Sequence, residues 1–204
     1  MGFYRTVLFP RMLRIAMGSR RLAPFRQRIG AQATGRVLDV GIGAGENLAY
    51  YSAADEIFGI EPSPELLAMA RGFARRVALP VTLLRADAEQ LPFAPESFDT
   101  VVLTMTLCSI PDASKALQEV RRVLRRDGRL LYFEHGLAPS HRVAAWQRRL
   151  TPTWKRFSGG CHLDRPMPLL IEAAGFRLET GSSTYLPGPR FLTYFYDGVA
   201  RPLA

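Results

Sequence analysis

The sequence predicts an α/β fold: a mostly parallel sheet wound in both directions and covered by helices on both faces, three layers in all. Three observations carry this expectation. Val37 to Leu48, reading VLDVGIGAGENL, takes an apolar strand into an acidic residue, three closely spaced glycines and a helix start. From Arg36 onward, strand-like and helix-like stretches alternate, as a parallel sheet covered on both faces requires. Phe98 to Leu107, FDTVVLTMTL, is almost continuously apolar, as a central strand buried on both faces should be.

In chain order, residues 1 to 30 read as two helical pieces. Leu8, Met12, Ile15 and Ala16 offer an apolar stripe flanked by Arg5, Arg11 and Arg14, with Pro10 interrupting the pattern. After the glycine turn, Glu56 to Ile60 is a second strand. Ser63 before Pro64 is an N-cap, and Leu66, Leu67, Ala70, Phe73 and Ala74 form the buried face of the next helix. Val81 to Leu84 is a third strand. Pro111 and Asp112 start a helix with a buried stripe at Leu117, Val120 and Leu124, solvated arginines at 121, 122, 125 and 126, and a stop at Gly128. Arg129 to Phe133 is a fifth strand ending at Glu134-His135, and residues 136 to 163 are an insertion rich in aromatic and basic residues. Asp164 and Pro166 start a short helix that Gly175 ends. Phe176 to Tyr185 and Arg190 to Tyr196, around Pro187-Gly-Pro189, read as an antiparallel hairpin at the sheet edge. The chain is expected to be one domain over residues 1 to 204.

Composition narrows the classes. At 204 residues, 48% hydrophobic and 22% charged, the chain has enough apolar content for a packed core and is not disordered. The net charge of +9 is concentrated at the start: residues 1 to 38 hold eight Arg and no acid, leaving nineteen basic against eighteen acidic residues beyond. Two cysteines, Cys108 and Cys161, are too few for a disulfide framework and suit a reducing cytoplasm. No run of about 18 apolar residues would cross a bilayer, and no secretory h-region precedes a cleavage site. An arginine-rich, acid-poor start also matches an organellar transit peptide, and the sequence leaves that alternative open. The same segment reads either as a cap over a ligand cleft or as an interfacial helix on anionic headgroups at the inner membrane face. No nucleic-acid module accompanies the arginines, so no nucleic-acid partner is expected.

The glycine turn also discriminates among ligands. A dinucleotide fingerprint would have its third glycine at position 46, with pyrophosphate at the helix N-terminus; Glu46 stands there and would repel it. A ligand without phosphates fits better. Glu61 follows the second strand, 22 residues after Asp39, where this architecture holds ribose hydroxyls. A nucleoside is implied.

Asp39-Val-Gly-Ile-Gly-Ala-Gly45, Glu61, and Asp87-Ala-Glu89 after the third strand together resemble the motifs of the class I S-adenosylmethionine-dependent methyltransferases. The resemblance implies a Rossmann-like sheet in the order 3-2-1-4-5-7-6 with strand 7 reversed. It implies S-adenosyl-L-methionine as cofactor, with S-adenosyl-L-homocysteine as product. Asp39, Gly41, Gly43 and Gly45 would surround the methionine moiety, Glu61 beside Pro62 would hold the ribose, and Asp87 with Ala88 would meet the adenine edge. Thr104 completes that set, at the head of the Thr104 to Ile110 stretch expected to face the crevice. Alternatively, Asp87 caps its own loop and Glu61 is a turn residue. No metal is expected.

On the acceptor side, the Asn/Asp-Pro-Pro-Tyr/Phe signature of amide and exocyclic-amine methylation is absent. Met1-Gly-Phe-Tyr4, Leu107-Cys-Ser109, Glu134-His-Gly136, Trp146, Pro152, Trp154 and Gly159-Gly-Cys-His-Leu-Asp-Arg165 closely resemble a bacterial group related to the animal methyltransferase-like thiol S-methyltransferases of the endoplasmic reticulum. Those carry an N-terminal membrane anchor, whereas this start is shorter and more basic. The resemblance implies methyl transfer to a small acceptor, with a thiol or hydrosulfide favoured. Two other readings are a membrane-surface methyltransferase of phospholipid headgroups or quinones, and a non-catalytic cofactor-binding interaction protein. A thiol needs deprotonation, for which His162 oriented by Asp164 is the first expectation and His135 the second. Against it, Gly159 to Arg165 reads as a rigid turn that shapes the pocket, with Asp164 as the N-cap of the next helix and His162 as a satisfied polar residue. Cys108 and Cys161 lack C-x-x-C spacing, so zinc or trivalent arsenic is only weakly indicated. Trp146 and Trp154 are expected to wall an apolar acceptor pocket.

Overall fold

The computed structural model describes residues 8–203; Arg5 and the opening Met1-Gly-Phe-Tyr4 lie outside the described residues, as does the side chain of Ala16. Seven strands form one sheet: β1 (Thr34–Val40), β2 (Ala53–Ile60), β3 (Val81–Leu84), β4 (Phe98–Thr104), β5 (Leu124–His135), β6 (Phe176–Tyr185) and β7 (Tyr194–Pro202). Their order is β3-β2-β1-β4-β5-β7-β6. The first five are parallel, and β7 runs antiparallel to both β5 and β6, as the sequence leads one to expect. Six helices accompany them among the described residues: α1 (Phe9–Met17), α2 (Ala23–Gly30), α3 (Pro64–Ala74), α4 (Ala113–Val123), α5 (His141–Phe157) and α6 (Met167–Ala173).

Strand periodicity places side chains alternately on two cores. Leu38, Val40, Val101, Leu103, Leu130 and Tyr132 pack on the side of α4 and α6. Val37, Val102, Leu131 and Phe133 pack on the other, where Phe25 of α2 stacks on Phe133 at 4.5 Å and Phe133 stacks on Phe195 at 5.1 Å. Aromatic stacks of this kind add about 0.5–1.5 kcal/mol to the area they bury.

Several local expectations are corrected. No α-helix follows the glycine turn. Residues 46–52 are turns and one 3-10 turn at Leu48–Tyr50. Asn47 and Tyr51 from this stretch both reach back to Asp39, which holds it in its short path. Pro10 does not interrupt α1 but occupies its first turn, where a missing N–H costs nothing. The helix carrying the paired arginines ends at Val123 rather than at Gly128, and the strand begins at once. Arg125 and Arg126 therefore sit on β5 and pair with Asp99 and Glu96. Arg122 is only partly solvated: it donates to Phe93 O at 2.8 Å and Leu91 O at 3.0 Å and pairs with Glu119. β7 starts later and runs further than its sequence limits, because it pairs along its length with both neighbours.

Candidate functional site

The carboxyl ends of β1, β2 and β4 open onto a cleft of about 580 Å³. Its floor is the glycine turn. The N–H groups of Gly41 and Ile42 donate to Ile60 O at 2.9 and 3.0 Å, which clamps the turn to the end of β2. Gly41 has φ 71° and packs against Thr106 so closely that a Cβ would collide with it. At Gly43, φ is 60° and a Cβ would project into space with nothing nearer than 3.8 Å, which leaves a cradle beside the cleft.

Glu61 is buried just past the carboxyl end of β2 and ties the two sides of this cradle together. Its Oε2 accepts from Gly43 N at 3.2 Å and its Oε1 from Ser63 N at 2.9 Å. Burial pushes its pKa up, against the pull of those two backbone donors. Beneath the turn, Asp39 Oδ2 accepts from Tyr51 at 2.7 Å and Asn47 at 3.0 Å, while Asn47 also accepts from the buried Arg26. Desolvation outweighs these contacts and raises Asp39 to about 6. Asp39 Oδ1, Glu46 Oε1 and Thr104 Oγ1 are buried without a partner. Glu46 and Thr104 line the cleft while Asp39 lies beneath it; buried polar atoms are rarely left unpaired, so the two at the cleft wall fit a ligand carrying ammonium or hydroxyl donors.

The opposite half of the cleft is walled by Ser109, Ile110 and Pro111 after β4, by Lys155, Arg156, Ser158, Gly159 and Gly160 at the end of α5, and by Pro10, Leu13 and Met17 of α1. The loop after β4 is fixed from below by Glu134 at the end of β5. Its Oε1 accepts from Thr106 N and Leu107 N, both at 2.8 Å, and its Oε2 from Cys108 N at 3.3 Å. Desolvation nevertheless raises Glu134 to about 7. α5 is seated by a buried Gln147, which accepts from Ala138 N at 2.8 Å and donates to Gly136 O at 3.0 Å and Phe191 O at 3.3 Å.

A methyltransferase domain model matches residues 38–132, the stretch that holds the glycine turn, Glu61 and Thr104. The rat thiol S-methyltransferase TMT1B (Rattus norvegicus) is 35% identical over 69% of this chain and 59% of its own length. The chain thus spans about three fifths of that relative. The human TMT1B (Homo sapiens) is 33% identical over 85% of this chain and 74% of its own length. The chain belongs to the class I S-adenosylmethionine-dependent methyltransferases. A phosphatidylethanolamine N-methyltransferase of Cereibacter sphaeroides is 37% identical over 57% of this chain and 58% of that protein. The crystal structure of YcgJ from Bacillus subtilis shares the fold, with TM-score 0.70 at 19% identity over 90% of this chain and 97% of that one.

Within this methyltransferase the cofactor-side expectations converge on one place. Gly41, Gly43, Glu61, Pro62, Asp87, Ala88 and Thr104 all line the cleft. Asp39 lies wholly buried beneath it, and Gly45 (φ 93°) lies where a Cβ would press on α3 at Ala70 and Phe73. Asp87 also caps its own loop through Glu89 N at 2.9 Å, so the alternative for it holds alongside its place in the cleft. Glu46, Arg26 and Met17 also line the cleft, and sequence reasoning gave none of them a cofactor role. The unused signal was Glu46 itself, read only as repelling phosphate.

The expected catalytic set is not assembled as a dyad. His162 Nδ1 stands 3.9 Å from Asp164 Oδ1, beyond hydrogen-bond reach, and His162 is not among the residues lining the cleft. Burial, then the charges of Arg165 and Lys155, lower its pKa. His135 is buried beneath the acceptor half, and neither of its ring nitrogens has an ordinary hydrogen-bond partner. Trp146 is 57% exposed and walls nothing, whereas Trp154 is half-buried near Cys161. The loop order places Cys161 against Cys108, with His162 N donating to Cys108 O at 2.7 Å. No group of three metal-binding side chains is found among the described residues.

Proposed function

We propose that this methyltransferase moves the methyl group of S-adenosylmethionine to a small thiol or hydrosulfide that enters as its anion. The observation that carries the reading is the lining of the acceptor half. Lys155 and Arg156 are its charged groups, and the cleft's carboxylates, Glu46, Glu61 and Asp87, stand on the donor half. Cations beside a bound thiol lower its pKa from the ordinary value of about 8.5 and favour the thiolate, the nucleophilic form. The thiol S-methyltransferase names of the rat and human relatives support the same choice.

In this reading the donor half uses Glu61 to accept ribose hydroxyls, Glu46 to face the methionine ammonium with the Asp39 carboxylate buried behind the turn, and Asp87 with Ala88 to meet the base. The bound sulfonium supplies an electrophilic methyl group. The chain's work is to hold the acceptor sulfur in line with it and exclude water, with α1 and the end of α5 closing the cleft. In this reading Lys155 and Arg156 stabilise the thiolate by charge and its proton is lost to solvent, so no His162 base is needed. Product analysis by mass spectrometry with methyl-labelled cofactor tests this, with small thiols and hydrosulfide in one arm and mixed-headgroup liposomes in the other. Label in a methyl thioether supports the reading; label in lipid alone overturns it. Lys155→Gln with Arg156→Gln should raise KM for the thiol at unchanged cofactor affinity, while His162→Ala should leave kcat near wild type. A large loss of kcat in His162→Ala would restore that residue as the base.

A second reading, a membrane-surface acceptor, is favoured by one observation. Leu8, Met12 and Ile15 of the N-terminal segment are 46, 51 and 78% exposed, between the exposed Arg11 and Arg14. An apolar stripe edged with arginines suits an anionic lipid surface.

A further inference from the structure

Beneath the acceptor half lies a set of groups for which methyl transfer as described has no use. Cys108 follows β4 and Cys161 follows α5, 53 residues later in the sequence. Several backbone contacts lock them together. His162 N donates to Cys108 O at 2.7 Å, and Cys161 N donates to Ser158 O at 3.4 Å. Gly160 adopts φ 91°, and a Cβ there would stand 3.0 Å from Ser109 O. Arg165 brackets Cys108 by donating to Leu107 O and, at 2.9 Å, to Pro111 O.

Cys161 packs against the core cluster that holds Cys108, each thiol perturbs the other, and neither is in a disulfide. His135 and Trp154 have buried ring nitrogens without an ordinary hydrogen-bond partner, and the polar group that each faces is the Cys161 sulfur. The surroundings are unequal. Cys108 is 2% exposed and lies beside the Glu134 carboxylate, which opposes a second negative charge. Cys161 is half-buried, in the loop whose residues 158–160 line the cleft, and its thiolate has two N–H donors at hand. The nearby Cys108 thiol, then the His135 and Trp154 ring nitrogens, hold its pKa below that of an ordinary thiol, while Cys108 is pushed up.

We propose that Cys161 and Cys108 are a reversible dithiol–disulfide pair, with Cys161 as the attacking thiolate and Cys108 as the resolving thiol, oxidised by a small hydroperoxide that enters through the cleft. The Cys161 sulfur attacks the terminal oxygen of the hydroperoxide; the O–O bond breaks, and the alkoxide leaves as an alcohol with a proton from solvent. Cys161 is then a sulfenic acid. The Cys108 sulfur attacks it, the S–S bond forms, and the hydroxyl leaves as water with the Cys108 proton. Two thiols and one hydroperoxide thus give one disulfide, one alcohol and one water, and a dithiol reductant reverses the change. The disulfide ties the 158–163 loop to the turn after β4, both of which wall the acceptor half.

The test uses the full chain without cofactor, so its outcome is separate from that of the acceptor assignment. The protein is treated with hydrogen peroxide, unfolded, alkylated and mapped by mass spectrometry. In wild type, a peptide pair joined through Cys108 and Cys161 is expected, with the loss of two hydrogens, and dithiothreitol should return both thiols to the alkylating reagent. In Cys108→Ser, dimedone should label Cys161; in Cys161→Ser, Cys108 should stay alkylatable. The proposal is overturned if both wild-type thiols remain alkylatable after peroxide, if only intermolecular disulfides form, or if dimedone labels Cys108 in Cys161→Ser. Should either variant fail to fold, the wild-type map alone decides.

Discussion

Glu61 accepts a hydrogen bond from the Gly43 backbone N–H at 3.2 Å, across 18 residues of sequence, and thereby fixes the glycine turn to the end of β2. The same carboxylate also orders the entry to α3 through Ser63 N. Its removal should act twice. Glu61→Ala leaves two backbone donors without their acceptor, for a stability loss of about 1–3 kcal/mol in denaturant unfolding. Cofactor affinity should fall by tenfold or more in calorimetry, about 1.4 kcal/mol. Unchanged affinity would remove Glu61 from the cofactor site.

Asp39 gives a pH signature with two opposite signs. Burial raises its folded-state pKa from 3.8 to about 6, so the folded protein holds the proton more tightly than the unfolded chain. Its contribution to stability is therefore full below pH about 4 and is lost as pH rises through about 6; the drop is about 3 kcal/mol at 1.36 kcal/mol per unit. Binding a cationic ligand needs the carboxylate, so cofactor affinity should rise over the same interval. Asp39→Asn should flatten both curves. Denaturant unfolding and calorimetry, each run on wild type and variant from pH about 4 to about 8, check the pair of signs.

Gln147 connects the fold to the acceptor half. α5 buries only Ala144, Gln147 and Thr151 and so is seated by hydrogen bonds more than by an apolar stripe. Gln147→Leu keeps much of the volume but strands Ala138 N, Gly136 O and Phe191 O. A destabilisation of about 1–3 kcal/mol is expected. Because α5 carries Lys155 and Arg156, KM for the acceptor should rise while cofactor affinity stays as in wild type. A fall in cofactor affinity instead would show that α5 supports the donor half.

These cases explain which features were legible in the sequence. The turn at Gly41 to Gly45 and Glu61 are readable because a short-range motif encodes them, and the strands because of their apolar runs, whereas the sheet order is implied only by the resemblance to the class I methyltransferases. α5 reads from sequence only as an insertion although Val143, Trp146, Leu150, Trp154 and Phe157 recur at helical spacing, because Pro152 interrupts the run and the face the helix buries is the neighbouring, largely polar one of Ala144, Gln147 and Thr151. The anchoring of Arg122 is invisible in the sequence for another reason: its partners, Leu91 O and Phe93 O, are backbone atoms of a distant loop. The neighbourhood of Cys108, His135, Trp154 and Cys161 comes from four segments that only the β4–β5 register and the return of α5 bring together. Spacing along the chain carries no trace of it.

α1 presents two apolar stripes, and the last prediction separates them. Pro10, Leu13 and Met17 line the cleft, while Met12 and Ile15, continued by Leu8 just before the helix, face outward at 51, 78 and 46% exposure. The stripe expected from sequence is thus the outward one, and the residues closing the cleft are its neighbours one face round. If the outward stripe meets lipid, the protein should sediment with vesicles rich in phosphatidylglycerol, less so as salt is raised, because Arg11 and Arg14 contribute by screened charge. Ile15→Asp should reduce that sedimentation severalfold and leave cofactor affinity unchanged. Leu13→Asp should do the reverse, raising KM for the acceptor while vesicle binding persists. Wild-type protein that stays in the supernatant at low salt would leave α1 as a lid over the cleft and nothing more.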